Sequence, residues 1–226
     1  MIKEDPQNPD ILYVGTDNGL YVSLDKGKSF NMFDNNFPAV AVHDVVIHAR
    51  EHELIVGTHG RSIYIANIEH LQMLDNQSLT KELLVFDLKK MQQNNWGEKR
   101  AWEEPKTVNS VIPLYVKNDG IVNITVKAGN ALILKKITVP VKKGLNYIDC
   151  ELTIDEKQTP QYQAYLNDKK EKNTPNIVLK KAEDGKTYLQ KGKYTVDIEK
   201  NGVKISKDLI IAARGNVPTD DEEDRD

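Results

Sequence analysis

The sequence holds one cysteine, Cys150, in 226 residues. That excludes an internal disulfide and any zinc site built on cysteine pairs. No apolar run approaches the ~18 residues of a membrane-spanning helix. Charge of one sign is also missing: 31 basic and 34 acidic side chains leave a net −3, which argues against a nucleic-acid partner held by bulk charge. Aromatic residues are scarce, 7% with two Trp, so stacking platforms must be sought at individual tyrosines. No phosphate-binding glycine loop, zinc signature or nucleophile elbow occurs. No cofactor and no metal site is expected. The 39% hydrophobic content still suffices for one or two domain cores at this length.

The charge is unevenly spread. Residues 220–226 carry six acids and one Arg, net −5, which leaves the rest of the chain at +2 out of the overall −3. Such a block cannot offset its ordering entropy, so residues 215–226 are expected to be a disordered acidic tail.

A repeat stands at the front. Leu12-Tyr13-Val14-Gly15-Thr16 recurs as Leu54-Ile55-Val56-Gly57-Thr58, 42 residues on. After one inserted residue, Leu20-Tyr21-Val22 recurs as Ile63-Tyr64-Ile65, at an offset of 43. A period of roughly 40–50 residues matches one four-stranded propeller blade. Residues 11–16, 19–24, 29–33, 40–47, 53–58 and 62–68 read as short strands, with no helical periodicity. Asp17-Asn18-Gly19 lies between two of them, and an Asn-Gly there predicts a hairpin turn with both central φ angles positive.

The next turn, Ser23-Leu24-Asp25-Lys26-Gly27-Lys28-Ser29-Phe30, places Ser, Asp, Gly and an aromatic at positions 1, 3, 5 and 8. Asp25 can accept backbone N–H bonds, Gly27 can take φ > 0, and Phe30 can pack under the turn. This pattern resembles the Asp-box, or BNR repeat, of sialidase-like and sortilin-like propellers. The runs from Asp5 to Thr16 and from Val42 to His48, with Val56-Gly57-Thr58-His59-Gly60-Arg61-Ser62-Ile63-Tyr64, are similar to the closing blades of bacterial BNR-repeat proteins of the glycosyl hydrolase type. The resemblance implies a structural role for Ser23, Asp25, Gly27 and Phe30. It also implies export to the periplasm, the cell surface or the medium. Under two blades are present, so residues 1–70 are expected to be the end of a longer propeller and the chain a fragment. Its partners are then the missing N-terminal blades, or further copies through self-association.

Residues 71–106 read as a linker with short helices, at 69–74 and 80–83, and with Trp96 and Trp102. From residue 107 to 214 the pattern is again β. Seven strands are expected at 111–117, 121–127, 131–141, 144–154, 176–181, 192–199 and 203–212, and they suggest a β-sandwich. Gly192–Ile198 with Asn201-Gly202-Val203, and Gly144–Asp149, resemble strands of bacterial immunoglobulin-like or fibronectin-type-III-like sandwiches. The fold class expected is therefore all-β: about two terminal propeller blades, a short helical linker and a C-terminal sandwich. Cys150 lies in an apolar strand and reads as a core residue.

Candidate chemistry is sparse. A glycosidase needs two carboxyls about 5–10 Å apart; Asp17, Asp44 and Glu53 lie near blade loops, but nothing pairs them. All five His lie between residues 43 and 70. On a regular strand His43 and His48 point to opposite faces, so they would chelate together only on a bulged strand. The ligand-binding candidates are His59, Arg61, Asp17 and His43, with His59 and Arg61 the leading pair, because Arg can bind a carboxylate or a sugar acid. Tyr162 and Tyr165, in a polar segment at 158–175, are candidates for stacking on a sugar ring. The reading that follows is a non-catalytic C-terminal region of an exported propeller protein, serving propeller closure and the binding of a glycan or protein ligand. The alternatives are a fragment of a BNR-repeat glycoside hydrolase whose active site lies in absent blades, and an adhesin docked through its sandwich.

Overall fold

The computed structural model describes residues 1–33, 37–94, 96–98, 107–129, 132–172 and 174–213. The expected acidic tail and Trp102 lie outside the described residues. The protein is all-β apart from short helices, and it divides into two compact units, Met1–Lys81 and Glu82–Asp226.

In the first unit, β1 (Ile2–Glu4), β2 (Leu12–Thr16), β3 (Gly19–Ser23) and β4 (Asn31–Met32) form one antiparallel sheet in that order. A second sheet comprises β5 (Val42–His48), β6 (Glu53–Thr58) and β7 (Ile63–Asn67). Alternation along the strands turns Tyr13, Leu20 and Val22 of the first sheet inward, and Val45, Leu54 and Val56 of the second. The two sheets meet closely where Gly15 faces Val42: a β-carbon on Gly15 would stand 2.6 Å from Val42 Cγ1, which explains why glycine occupies the middle of that strand. The turn between β2 and β3 departs from expectation. Its two residues are Asp17 and Asn18, and only the following Gly19 takes a left-handed φ, 131°. Asn201-Gly202 does form the mirror-type turn, with φ 49° and 81° between Lys200 and Val203.

Past the second sheet come a one-turn helix α1 (Glu69–Gln72) and a 3-10 turn (Ser78–Thr80). The stretch read as linker also supplies two strands, β8 (Leu83–Val85) and β9 (Met91–Gln92). β8 replaces the helical turn expected at 80–83 and pairs with β10, Leu114 opposite Val85. β9 runs parallel beside β15.

The second unit adds β10 (Asn109–Val116), β11 (Gly120–Ala128), β12 (Leu132–Val141), β13 (Gly144–Glu151), helix α2 (Thr159–Lys169), β14 (Gly192–Lys200) and β15 (Val203–Ala212). One sheet has the order β13-β10-β8, the other β12-β11-β14-β15-β9. Their inner faces share one core, in which Ile112, Leu114, Ile124, Leu134, Leu152 and Ile198 are essentially inaccessible. Cys150 belongs to it; burial pushes its thiol up to about 11, so it stays an unreactive thiol at neutral pH.

Two expectations fail in this unit. The polar segment 158–175 contains α2, and residues 176–181 form no strand. The helix has Pro160 in its first turn followed by good helix formers, as helix starts favour, but it buries only Tyr162 completely, so its apolar stripe is too thin to read. It captures the segment that follows with side chains. Asn167 exchanges two hydrogen bonds with the backbone of Ile177, at 2.8 and 2.9 Å, and Gln163 Oε1 accepts from Leu179 N at 2.9 Å. These amides satisfy backbone groups that would otherwise seek a sheet.

Lys200 is buried to its ammonium, which is held by the Glu82 carboxylate. Asn201 Nδ2 donates to the same carboxylate oxygen at 2.8 Å. The core contribution is testable by paired truncations. Leu114→Ala is expected to destabilise this unit by about 3 kcal/mol, from lost burial and the cavity left. Ile121→Ser, at a position 58% exposed, should fall within about 0.5 kcal/mol of wild type in the same urea titration.

Candidate ligand site

The site begins with an irregularity in β5. Opposite β6, Val42 pairs with Thr58 and Asp44 with Gly57, so His43 is the extra residue of a β-bulge. A bulge re-aims the side chain it carries. Here it brings the His43 ring against that of His59, with centroids 5.2 Å apart and planes inclined by 26°. His59 is fixed from its own side, since its N–H donates to Ala41 O at 2.9 Å. The β6–β7 connection is a tight loop closed by Thr58, whose N–H and hydroxyl both donate to Ser62 O, at 3.3 and 2.6 Å. Gly60 and Ser62 both sit at left-handed φ, 71° and 96°. For Ser62 that is strain of order 1–3 kcal/mol. The loop lifts Arg61 into solvent beside the histidine pair in sequence, and His43, His59 and Arg61 are all exposed.

Among the described residues no side-chain hydrogen bond or ring contact joins His59 to Arg61, the pair expected to lead; the contact formed is one that was not anticipated, His43 on His59. His48 lies at the other end of β5, where its Nδ1 accepts from Glu51 N at 3.3 Å. Asp17 lies apart, exposed in the β2–β3 turn, and among the described residues no hydrogen bond or ion pair joins it to His43, His59 or Arg61. Asp44 is engaged with its own neighbour, accepting from Val45 N at 2.9 Å. Asp44 stands opposite Gly57, four residues along β6 from Glu53. At about 3.4 Å per residue their backbones are ~14 Å apart. Among the described residues no group of three or more His, Cys, Asp or Glu could hold a metal ion. Among these residues the His43–His59 contact is the one interaction between the candidate ligand-binding side chains, and the exposed Arg61 lies two residues on from His59 in the same loop.

The turn at 23–30 is closed by its own side chains. Ser23 Oγ donates to Asp25 Oδ1 at 2.8 Å and accepts from Gly27 N at 2.8 Å. Asp25 accepts from Ser29 N at 2.8 Å and from the Ser29 hydroxyl at 2.6 Å. Lys26 and Gly27 take φ of 60° and 81°. These bonds, the Ser29 hydroxyl first, hold the Asp25 carboxyl down at about 2. Phe30 does not tuck under the turn: it stays 44% exposed, with its ring edge near Gly27.

The tyrosines turn inward. Tyr162 is 0% exposed, so no sugar can reach its ring. Its hydroxyl bonds that of Tyr194 and accepts from Gln190 N at 3.2 Å, while Tyr194 donates to Gln190 O at 2.5 Å. Tyr165 is stacked on Tyr162, and Lys169 stands 4.8 Å over the Tyr165 ring. Burial thus excludes the sugar-stacking role expected of Tyr162, while Tyr165 is half-buried.

A cluster that sequence reasoning missed ties the front of the chain to α1. Asp5, 2% exposed, accepts from Gln7 N, Asn8 N, the Tyr13 hydroxyl and Gln72 Nε2, at 2.8–3.1 Å. Because the Gln72 amide nitrogen serves Asp5, its oxygen faces His52 Nδ1 at 2.6 Å. Burial, then the Asp5 charge, push the Tyr13 hydroxyl well above its ordinary range. The local signal was Asp5 followed by a turn, since a carboxylate bonding the N–H groups two and three residues on is an Asx turn.

In the second unit, Asp197 lies in a shallow hollow on the outer face of the five-stranded sheet. Burial raises its carboxyl, but Lys127 at 2.5 Å, Lys204 at 2.6 Å and the Ser206 hydroxyl at 2.6 Å more than offset this and hold it low. Lys127 and Lys204 are both engaged by this one carboxylate.

No protein-family model and no curated protein matches this chain. Among the described residues no helix is long and apolar enough to cross a membrane.

The depressed Asp25 carboxyl carries a pH prediction. Its bonds favour the closed turn fully above the ordinary carboxylate value of about 4 and are lost as pH falls through about 2. An NMR titration of the Ser29 amide should therefore step near pH 2, and Asp25→Asn should remove the step. A midpoint at the ordinary carboxylate value would overturn this account.

Proposed function

We propose that this chain is a non-catalytic binding module of an exported propeller protein. In this reading the two sheets of residues 1–70 are terminal blades, and the two-sheet second unit is an immunoglobulin-like or fibronectin-like sandwich. The observation that carries the binding role is the bulge that stacks His43 on His59 beside a strained loop bearing Arg61. Strain held in a surface loop is commonly retained for function. The ligand class that fits is a carboxylate on a glycan or a protein. The alternative is a fragment of a BNR-repeat glycoside hydrolase whose active site lies mostly in blades outside this chain.

The test is a binding screen of the intact protein on arrays of uronic-acid and sialic-acid glycans, neutral glycans and acidic peptides. Binding to a carboxylate-bearing probe is expected, weakened at least about tenfold by Arg61→Ala or His59→Ala, the loss from one charge-assisted hydrogen bond. No binding to any acidic probe, or binding indifferent to both substitutions, overturns the reading. Turnover of a glycan by the chain alone would favour the hydrolase instead.

A further inference from the structure

The repeat and the strand register together specify what covers the two outer faces of the first unit. In the first sheet, Tyr13, Leu20 and Val22 point toward the second sheet and are 0%, 0% and 7% exposed. Their repeat equivalents in the second sheet are Ile55, Ile63 and Ile65. These point away from the first sheet; Ile63 and Ile65 are 66% and 63% exposed. The converse holds for the other face. Val56 and Tyr64 of the second sheet turn toward the first, Val56 being 1% exposed, whereas their equivalents Val14 and Tyr21 lie on the first sheet's outer face.

The two sheets therefore pack head to tail. The Tyr13-type face of one repeat lies on the Val56-type face of the next, a heterologous contact in which the surfaces differ. One such contact is built inside the chain. The two kinds of surface in that contact recur on the outward faces of the two sheets. On the second sheet the free half is the row Val46–Ile55–Ile65, with Ile63 beside it. On the first sheet it is the row Ile2–Val14–Tyr21–Met32, in which Ile2 is 65% and Met32 40% exposed. Both rows are apolar across every strand, which is uncommon for a sheet face left to water.

We propose that these faces are two halves of one interface, and that a second copy of this chain occupies them, so that further copies supply the neighbours that the reading as terminal blades requires. The Val46–Ile55–Ile65 row of one copy seats on the Ile2–Val14–Tyr21–Met32 row of the next, repeating between chains the contact already made within one. The occupant is argued from that internal contact. The proposal rests on reading the two sheets as repeats and not on ligand binding at the histidine pair, so a failed array screen leaves it standing.

The experiment is sedimentation velocity of the full 226-residue chain over a concentration series, with two double variants at exposed positions. Wild type should associate as concentration rises, past twice its 25.6 kDa mass, because a heterologous contact leaves a free face at each end. Ile63→Lys/Ile65→Lys disables one face, and Ile2→Lys/Met32→Lys the other. Each variant should remain a monomer alone. Mixed in equal amounts they should form a capped dimer and nothing larger, since one intact face of each kind remains. A wild type that stays monomeric throughout overturns the proposal. So does a mixture that stays monomeric, or a single variant that still dimerises by itself, which would mark a two-fold contact of like faces. Should the lysines loosen a sheet, Ile63→Thr/Ile65→Thr retains strand propensity and must still weaken association.

Discussion

A β-strand sends alternate side chains to opposite faces, so every sheet has two surfaces to place against something. The architecture follows from how that requirement is met in each unit. In the second unit two sheets turn their apolar faces on each other, and α2 adds Tyr162 to the same core. The outward face of the five-stranded sheet carries Asn123, Thr125, Lys127, Lys136, Asp197 and Lys204, whereas that of the three-stranded sheet carries Val111, Pro113, Tyr115, Leu145 and Tyr147. In the first unit each sheet satisfies one face on its neighbour and presents an apolar row on the other.

Several polar groups in the interior are bonded in full, although among the described residues the buried hydroxyls of Ser110 and Thr159 find no partner. Asp5 takes bonds from two backbone N–H groups and two side chains, and Tyr162, Tyr194 and Gln190 close a small circuit. Lys200 is matched to Glu82. Unpaired, each of these groups would cost a desolvation penalty; paired, each fixes a junction. Asp5 joins the first hairpin to α1. Glu82 joins the short strand β8 to the β14–β15 turn, and the tyrosines join the β14 strand to α2.

The exposed histidine pair has a different origin. It depends on one extra residue in β5 and on a loop that accepts left-handed φ at Ser62. Neither feature serves the core, whose inward residues on β5 and β6 are Val45, Leu54 and Val56. A bulge and a strained loop placed side by side, outside the packing, are the elements on which a binding role can be argued.

Much of this was determined by the sequence alone. The period-two alternation of Val122, Ile124 and Val126, the Asn201-Gly202 turn and the 42-residue repeat each encode local structure, and strands β2, β3, β5–β7, β10–β12, β14 and β15 stand within a few residues of where these patterns put them. The Ser23–Ser29 turn was legible for the same reason, because its bonds span only two to four residues. What tertiary structure decided lies beyond that range. Residues 176–181 are apolar enough for a strand, but side chains of α2 bond the backbones of Ile177 and Leu179. Tyr162 sits in a polar stretch and is nonetheless fully buried, because a thin helix face meets the core of two sheets. His43 and His59 are sixteen residues apart in sequence, and only a bulge, invisible to periodicity, stacks one ring on the other. Local pattern determines which way a side chain points along its own strand; which surface it then meets depends on the register and packing of strands distant in the chain.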